Sequence, residues 1–80
     1  MKAKVVVVLK GGVLDPAGKA VETSLHRLGF DDVTDVRLGR YIELEVDDTP
    51  DAQSRIDDMC RQLLSNTVIE DYRIEMVKPQ

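Results

Sequence analysis

Five consecutive apolar residues, Val5-Val6-Val7-Val8-Leu9, constrain this chain more than any other feature. Four of them are β-branched, and the run is bounded by Lys4 on one side and Lys10-Gly11-Gly12 on the other. Lys4 to Leu9 therefore reads as a strand. Neighbouring side chains of a strand point to opposite faces, so Val5, Val7 and Leu9 face one way and Val6 and Val8 the other. A sheet with helices on one side and water on the other should alternate, and this strand does not. The run is far shorter than the roughly 18 residues that cross a bilayer. The basic start Met1-Lys2-Ala3-Lys4 lacks the small-residue cleavage site of a signal peptide, so the chain is expected in the cytoplasm.

The remaining elements follow from caps and periodicity. Asp15-Pro16 is an N-cap followed by proline at the first helical position, where its missing N–H costs nothing. Ala17, Ala20, Val21, Leu25 and Leu28 recur at helical spacing, and Gly29 supplies a left-handed stop. Val33 to Leu38 and Tyr41 to Val46 read as two strands joined by a hairpin at Gly39-Arg40. In the second of these Ile42, Leu44 and Val46 alternate with Tyr41, Glu43 and Glu45. Asp47-Asp48-Thr49-Pro50 repeats the cap-then-proline signal. Ala52, Ile56, Met59, Cys60 and Leu63 then form the stripe of a second helix ending near Leu64-Ser65-Asn66, and Val68 to Val77 is the last strand.

The order β-α-β-β-α-β defines an α+β, ferredoxin-like two-layer sandwich, an antiparallel sheet with two helices on one face, in a single domain spanning residues 1–80. Other strand orders, or a strand-swapped dimer, satisfy the same pattern. In this plan Val6 and Val8 make the centre of the open face apolar. Asp35, Arg37, Glu43, Glu45, Arg73 and Glu75 would rim it, which is the anatomy of a self-association surface. Size points the same way, because a chain of 80 residues buries only about 60% of its surface and has a limited core.

Composition excludes several functions. A net charge of −4 argues against nucleic acid and anionic membranes as partners. One cysteine, Cys60, permits no internal disulfide and no Cys-x-x-Cys site. Cys60 lies in the apolar stripe of the second helix, as an inert thiol would. His26, the only histidine, falls on the outer flank of the first helix. Asp47, Asp48 and Asp51 lack calcium-loop spacing and suit a helix N-terminus. Nothing assembles a nucleophile, base and orienting group, so no catalytic residues and no metal or cofactor site are expected in this chain.

The glycine-containing loop Gly11 to Gly18 matches neither a P-loop nor a dinucleotide fingerprint. With the strand order it does suggest a homodimeric ACT-type regulatory domain that binds a small molecule, although Asp15-Pro16-Ala17-Gly18 fits the Asp-x-Pro-Gly pattern imperfectly. An RNA-recognition domain needs stacking aromatics, and Tyr41 stands alone beside Glu43 and Glu45.

Four segments in order resemble one family. They are Lys10-Gly11-Gly12-Val13-Leu14-Asp15-Pro16-Ala17-Gly18, Leu28-Gly29-Phe30, Val36-Arg37-Leu38-Gly39-Arg40, and Leu63-Leu64-Ser65-Asn66-Thr67-Val68-Ile69-Glu70-Asp71-Tyr72. The chain is similar along its whole length to PurS, the small subunit of phosphoribosylformylglycinamidine synthase in purine biosynthesis. It departs at Ala17, Arg40, Ser65 and Thr67, where the family usually has Gln, Lys, Ala and Pro.

The resemblance implies a non-catalytic subunit that forms homodimers, with tetramers left open. Such a subunit bridges a synthetase subunit, which holds ATP and Mg, and a glutaminase subunit, and assists ammonia transfer between them. Lys10, Asp15, Arg37, Arg40, Asn66, Glu70 and Tyr72 lie on the shared motifs and are the candidate partner-binding residues, with Val6 and Val8 the candidates for self-association. Asp15 as a helix N-cap, Asn66 as a left-handed helix stop and Tyr72 as sheet packing remain alternatives. Arg37 and Arg40 flank the expected hairpin turn with no local reason to be basic.

Overall fold

The computed structural model describes residues 1–77. The two-sided strand is the central one. β1 (Lys2–Leu9) lies between β2 (Gly39–Glu45) and β3 (Glu70–Val77), paired antiparallel with both. Ala3, Val5 and Val7 are fully buried on the inner face, against Ile56 and Cys60 of the helical layer. Ile42 and Leu44 of β2, and Tyr72, Ile74 and Met76 of β3, flank them on the same face.

Val6 and Val8, on the other face, are half-buried. Val6 sits in a row between Tyr41 and Arg73, and Lys4 in the next row between Glu43 and Glu75. The apolar centre with a charged rim is therefore present. Asp35 and Arg37, expected in that rim, are not in the sheet.

The first helix, α1 (Pro16–Arg27), forms as its caps dictate. Asp15 Oδ1 accepts from the Gly18 N–H at 2.8 Å, Pro16 opens the helix, and Gly29 at φ 98° reverses the chain after Leu28. The second, α2 (Ala52–Met59), starts two residues beyond the Thr49-Pro50 signal with Asp51 at its N-cap. The Asp51 carboxylate makes no cap bond to the helix and instead accepts from the Thr49 hydroxyl at 2.6 Å. The last turn widens into a π-helix, Cys60–Leu64, which closes when Ser65 N–H and Ser65 Oγ both donate to Cys60 O.

The α+β class and the antiparallel sheet with two helices stand, but the segment Val33 to Leu38 departs from expectation. It is extended without joining the sheet, and the anticipated turn residues Gly39 and Arg40 are the first two residues of β2, opposite Val8 and Val7. A β-branched sequence favours extended backbone and says nothing about which edge it pairs with. At Gly39 the chain passes so close to β1 that a Cβ would collide with Val7 O. With both residues held in the ladder, no turn remains to fold 33–38 back onto β2.

Residues 33–38 run instead along α1. His26 Nε2 donates to Val33 O at 2.7 Å, Gly18 passes so close to Val36 O that no Cβ would fit, and Leu38 N–H reaches Asp15. Helix and segment form one arm, residues 10–38. α1 buries only Gly18, and Leu14 (78% exposed), Val21, Leu28 (73%) and Phe30 are open to solvent. The radius of gyration is 16.0 Å, against about 12 Å for a compact chain of this length.

No helix among the described residues is long and apolar enough to cross a membrane. Ile56 is the largest side chain fully buried between α2 and the sheet. Ile56→Ala is expected to cost about 2–4 kcal/mol, measured as a lower urea midpoint with an unchanged slope.

Candidate functional site

The register of the sheet decides where the candidate residues meet. Leu9 at the end of β1 lies opposite Glu70, the first residue of β3, and Val8 lies between Gly39 and Asp71. One end of the sheet thus collects Lys10, Arg40, Glu70 and Tyr72, together with Asn66 in the preceding turn and Asp15 and Arg37 from the two strands of chain that carry the arm.

On the inner side of this end, Arg40 is the hub. Its guanidinium donates to Leu64 O at 3.0 Å and to Glu70 Oε1 at 2.8 Å. The same Glu70 oxygen accepts from the Asn66 N–H at 2.7 Å, and the Glu70 N–H returns to Asn66 O at 2.7 Å. Asn66 Oδ1 in turn accepts from the Val68 N–H. This network ties the end of the π-helix to the first residues of β2 and β3. Asn66 therefore shapes a turn, but not as a left-handed helix stop, since no residue other than glycine has a positive φ among the described residues.

Tyr72 points into the helical layer, where its hydroxyl donates to Asp57 Oδ1 at 2.6 Å and so joins β3 to α2. That hydrogen bond, with burial and the Asp57 charge behind it, raises the phenol above its usual range. Asp57 also pairs with Arg61 at 2.5 Å.

On the outer side, Asp15 and Arg37 cross-link the base of the arm. Asp15 Oδ1 caps α1 through Gly18, and Asp15 Oδ2 accepts from the Leu38 N–H at 3.0 Å. Arg37 donates to Leu9 O. Both arginines thus have partners inside the chain, 24 to 30 residues away in sequence, which the turn reading missed. The Gly18 and Leu38 N–H groups, in that order, and then the Arg37 charge hold the Asp15 carboxyl below its usual value. Lys10 keeps an exposed side chain, 4.0 Å from the Asp71 carboxylate.

A cleft of about 560 Å³ opens between the arm's helix and its extended segment, lined by Leu14, Asp15, Lys19, Glu22, Asp35 and Arg37 among others. Its side chains carry both charges in nearly equal number and converge on no single ligand chemistry. His26 is exposed and holds Val33 O, and burial pushes the Cys60 thiol up, which keeps it protonated and unreactive. Among the described residues no three His, Cys, Asp or Glu side chains gather to hold a metal ion.

The arrangement is one of cross-links and surfaces. Its motif residues lie in a pattern that a family model describing PurS, phosphoribosylformylglycinamidine (FGAM) synthase, matches over residues 2–78. The chain belongs to the PurS family. It is 51% identical over 75 residues to the phosphoribosylformylglycinamidine synthase subunit PurS of Synechocystis sp., covering 91% of this chain and 75% of that one.

Among solved structures it is similar to Methanocaldococcus jannaschii PurS, with TM-score 0.88, 35% identity and coverage of 99% and 98% of the two chains. It is also similar to a chain in the structure of PurLQS from Thermotoga maritima, with TM-score 0.77, 29% identity and coverage of 92% and 93%. The PurS motif residues Lys10, Asp15, Arg37, Arg40, Asn66, Glu70 and Tyr72 of this chain meet at one end of the sheet and the root of the arm.

Asp15 provides a check on this reading. A carboxylate with a depressed pKa contributes stability that is present above its unfolded value and is lost as the pH falls through the folded one. Asp15→Ala should lower the melting temperature at pH 7. The gap from wild type should hold down to about pH 5 and close as the pH drops below the ordinary carboxylate range of about 3.8. A gap that stays constant to pH 2 would show that the carboxylate charge contributes nothing.

Proposed function

We infer that this chain is the non-catalytic subunit of a cytoplasmic FGAM synthase and works as a homodimer in which two copies exchange their arms. In this reading it bridges the synthetase and glutaminase subunits and assists the passage of ammonia. ATP and Mg belong to the synthetase. The observation that carries the reading is the unsatisfied arm. The arm presents Leu14, Val21 and Leu28 to water, while the inner face of β2 is covered only in part and its outer edge is unpaired among the described residues.

A second copy supplies what each surface lacks. Its extended segment 33–38 can add a fourth strand beside β2, and its α1 can lie over Ile42 and Leu44, and the reciprocal exchange closes with two-fold symmetry. Two copies then build two complete β-α-β-β-α-β units. The open face, with Val6 and Val8 at its centre, is left for further self-association into tetramers. Lys10, Arg37 and Arg40 have exposed side chains and are assigned to contact with the larger subunits, whereas Asp15, Asn66, Glu70 and Tyr72 hold the end of the sheet that presents them.

Two experiments test this. Sedimentation equilibrium should give a dimer for the wild type, and a two-residue Asn-Gly insertion between Leu38 and Gly39 should yield a folded monomer, because it restores a hairpin turn. A wild type that stays monomeric at every concentration would remove the exchange. Formation of amidine product by the cognate synthetase and glutaminase should require this chain when glutamine is the nitrogen donor and not when ammonia is. In the glutamine reaction Lys10→Glu should raise the amount of this subunit needed for half-maximal rate, while equal rates with and without the chain would end the bridging reading.

A further inference from the structure

We propose that the Asp15 carboxylate is the latch that makes the arm exchange between copies instead of closing on its own sheet; this rests on the exchange reading above. The chain leaves the sheet after Leu9 and returns to it at Gly39, so the arm hangs from two adjacent stretches of backbone. Asp15 belongs to the outgoing strand and Leu38 to the returning one, and Oδ2 accepts the Leu38 N–H at 3.0 Å while Oδ1 caps α1. A second tie crosses the same root in the opposite sense, from the Arg37 guanidinium to Leu9 O. Close passage of Gly18 by Val36 O holds the helix against the returning strand just above.

These ties select one direction for the arm. For residues 33–38 to fold back onto their own β2, Gly39 and Arg40 would have to leave their places opposite Val8 and Val7 and form a turn. Leu38 would then have to withdraw its N–H from Asp15. While the carboxylate holds Leu38 beside the first turn of α1, the backbone runs straight from Leu38 into β2 and the arm points outward. The latch also lowers the entropy lost on dimerisation, because the arm is already rigid at its root before a partner arrives. Asp15 thus acts as a positioning residue for assembly, and its capping role is separable from its latch role.

Asp15→Asn separates them. Asparagine is as good an N-cap as aspartate and can still accept from the Gly18 N–H. Its amide nitrogen has no lone pair for the Leu38 N–H. Arg37→Met removes the second tie without touching the cap, and serves alone should Asp15→Asn fail to fold by circular dichroism.

Sedimentation equilibrium of the full chain at pH 7 would be run on wild type, both variants and the Asn-Gly insertion variant. The dimer dissociation constant is expected to rise about tenfold for each latch lost, hence about a hundredfold for a dimer with two. Helix content of the resulting monomers should match that of the wild type. Dissociation constants within twofold of wild type for the folded variants, alongside a monomeric insertion variant, would overturn the latch and leave the exchange intact. A wild type without a dimer would overturn both.

Discussion

The central place of β1, with its inner face buried, is the constraint from which the rest of the structure follows. Ala3, Val5 and Val7 can lose water only if a helix covers them, and Ile56 and Cys60 of the second helical layer provide that cover. Its backbone groups can be satisfied only by a strand on each side, which β2 and β3 supply in antiparallel register. That register brings the end of β1 level with the starts of β2 and β3. The Arg40–Glu70–Asn66 network and the Asp15 and Arg37 ties at the root of the arm are built around this end because the ladder puts them there.

A sheet of three strands with one helix layer over it is a small core, and the arm is what it lacks. The first helix leaves Val21 and Leu28 of its apolar stripe exposed to solvent. Such a surface is costly to leave in water, at about 25 cal/mol per Å² of apolar area. It persists in the monomer because the returning strand has no turn with which to double back. In the proposed exchange, the constraint that leaves the arm open is also what would make two copies complementary.

Much of this was legible from local pattern. The caps at Asp15-Pro16 and Gly29 end α1 where they should, the alternation of β2 puts Ile42 and Leu44 inward, and Cys60 lies buried in its stripe. These features depend on neighbours within four residues, or on a period that a single element imposes. Arg37 and Arg40 show what such reading misses. Their partners, Leu9 O, Leu64 O and Glu70, lie 24 to 30 residues away, so their basic character has no explanation in the sequence around them. Tyr72 has its partner, Asp57, 15 residues away on another element, whereas the partners of Asn66, Val68 and Glu70, are local.

The amino-acid sequence by itself determined the two helices, the three strands that pair and the motifs that mark the family. Local sterics, capping and hydrophobic periodicity are properties of short segments. Only the tertiary structure decided that Val33 to Leu38 lies along α1, that Gly39-Arg40 is strand and no turn, and that the arm stands away from its sheet. Those outcomes depend on which segment pairs with which edge, and on single hydrogen bonds, from the Leu38 N–H to Asp15 above all, between residues far apart in the chain.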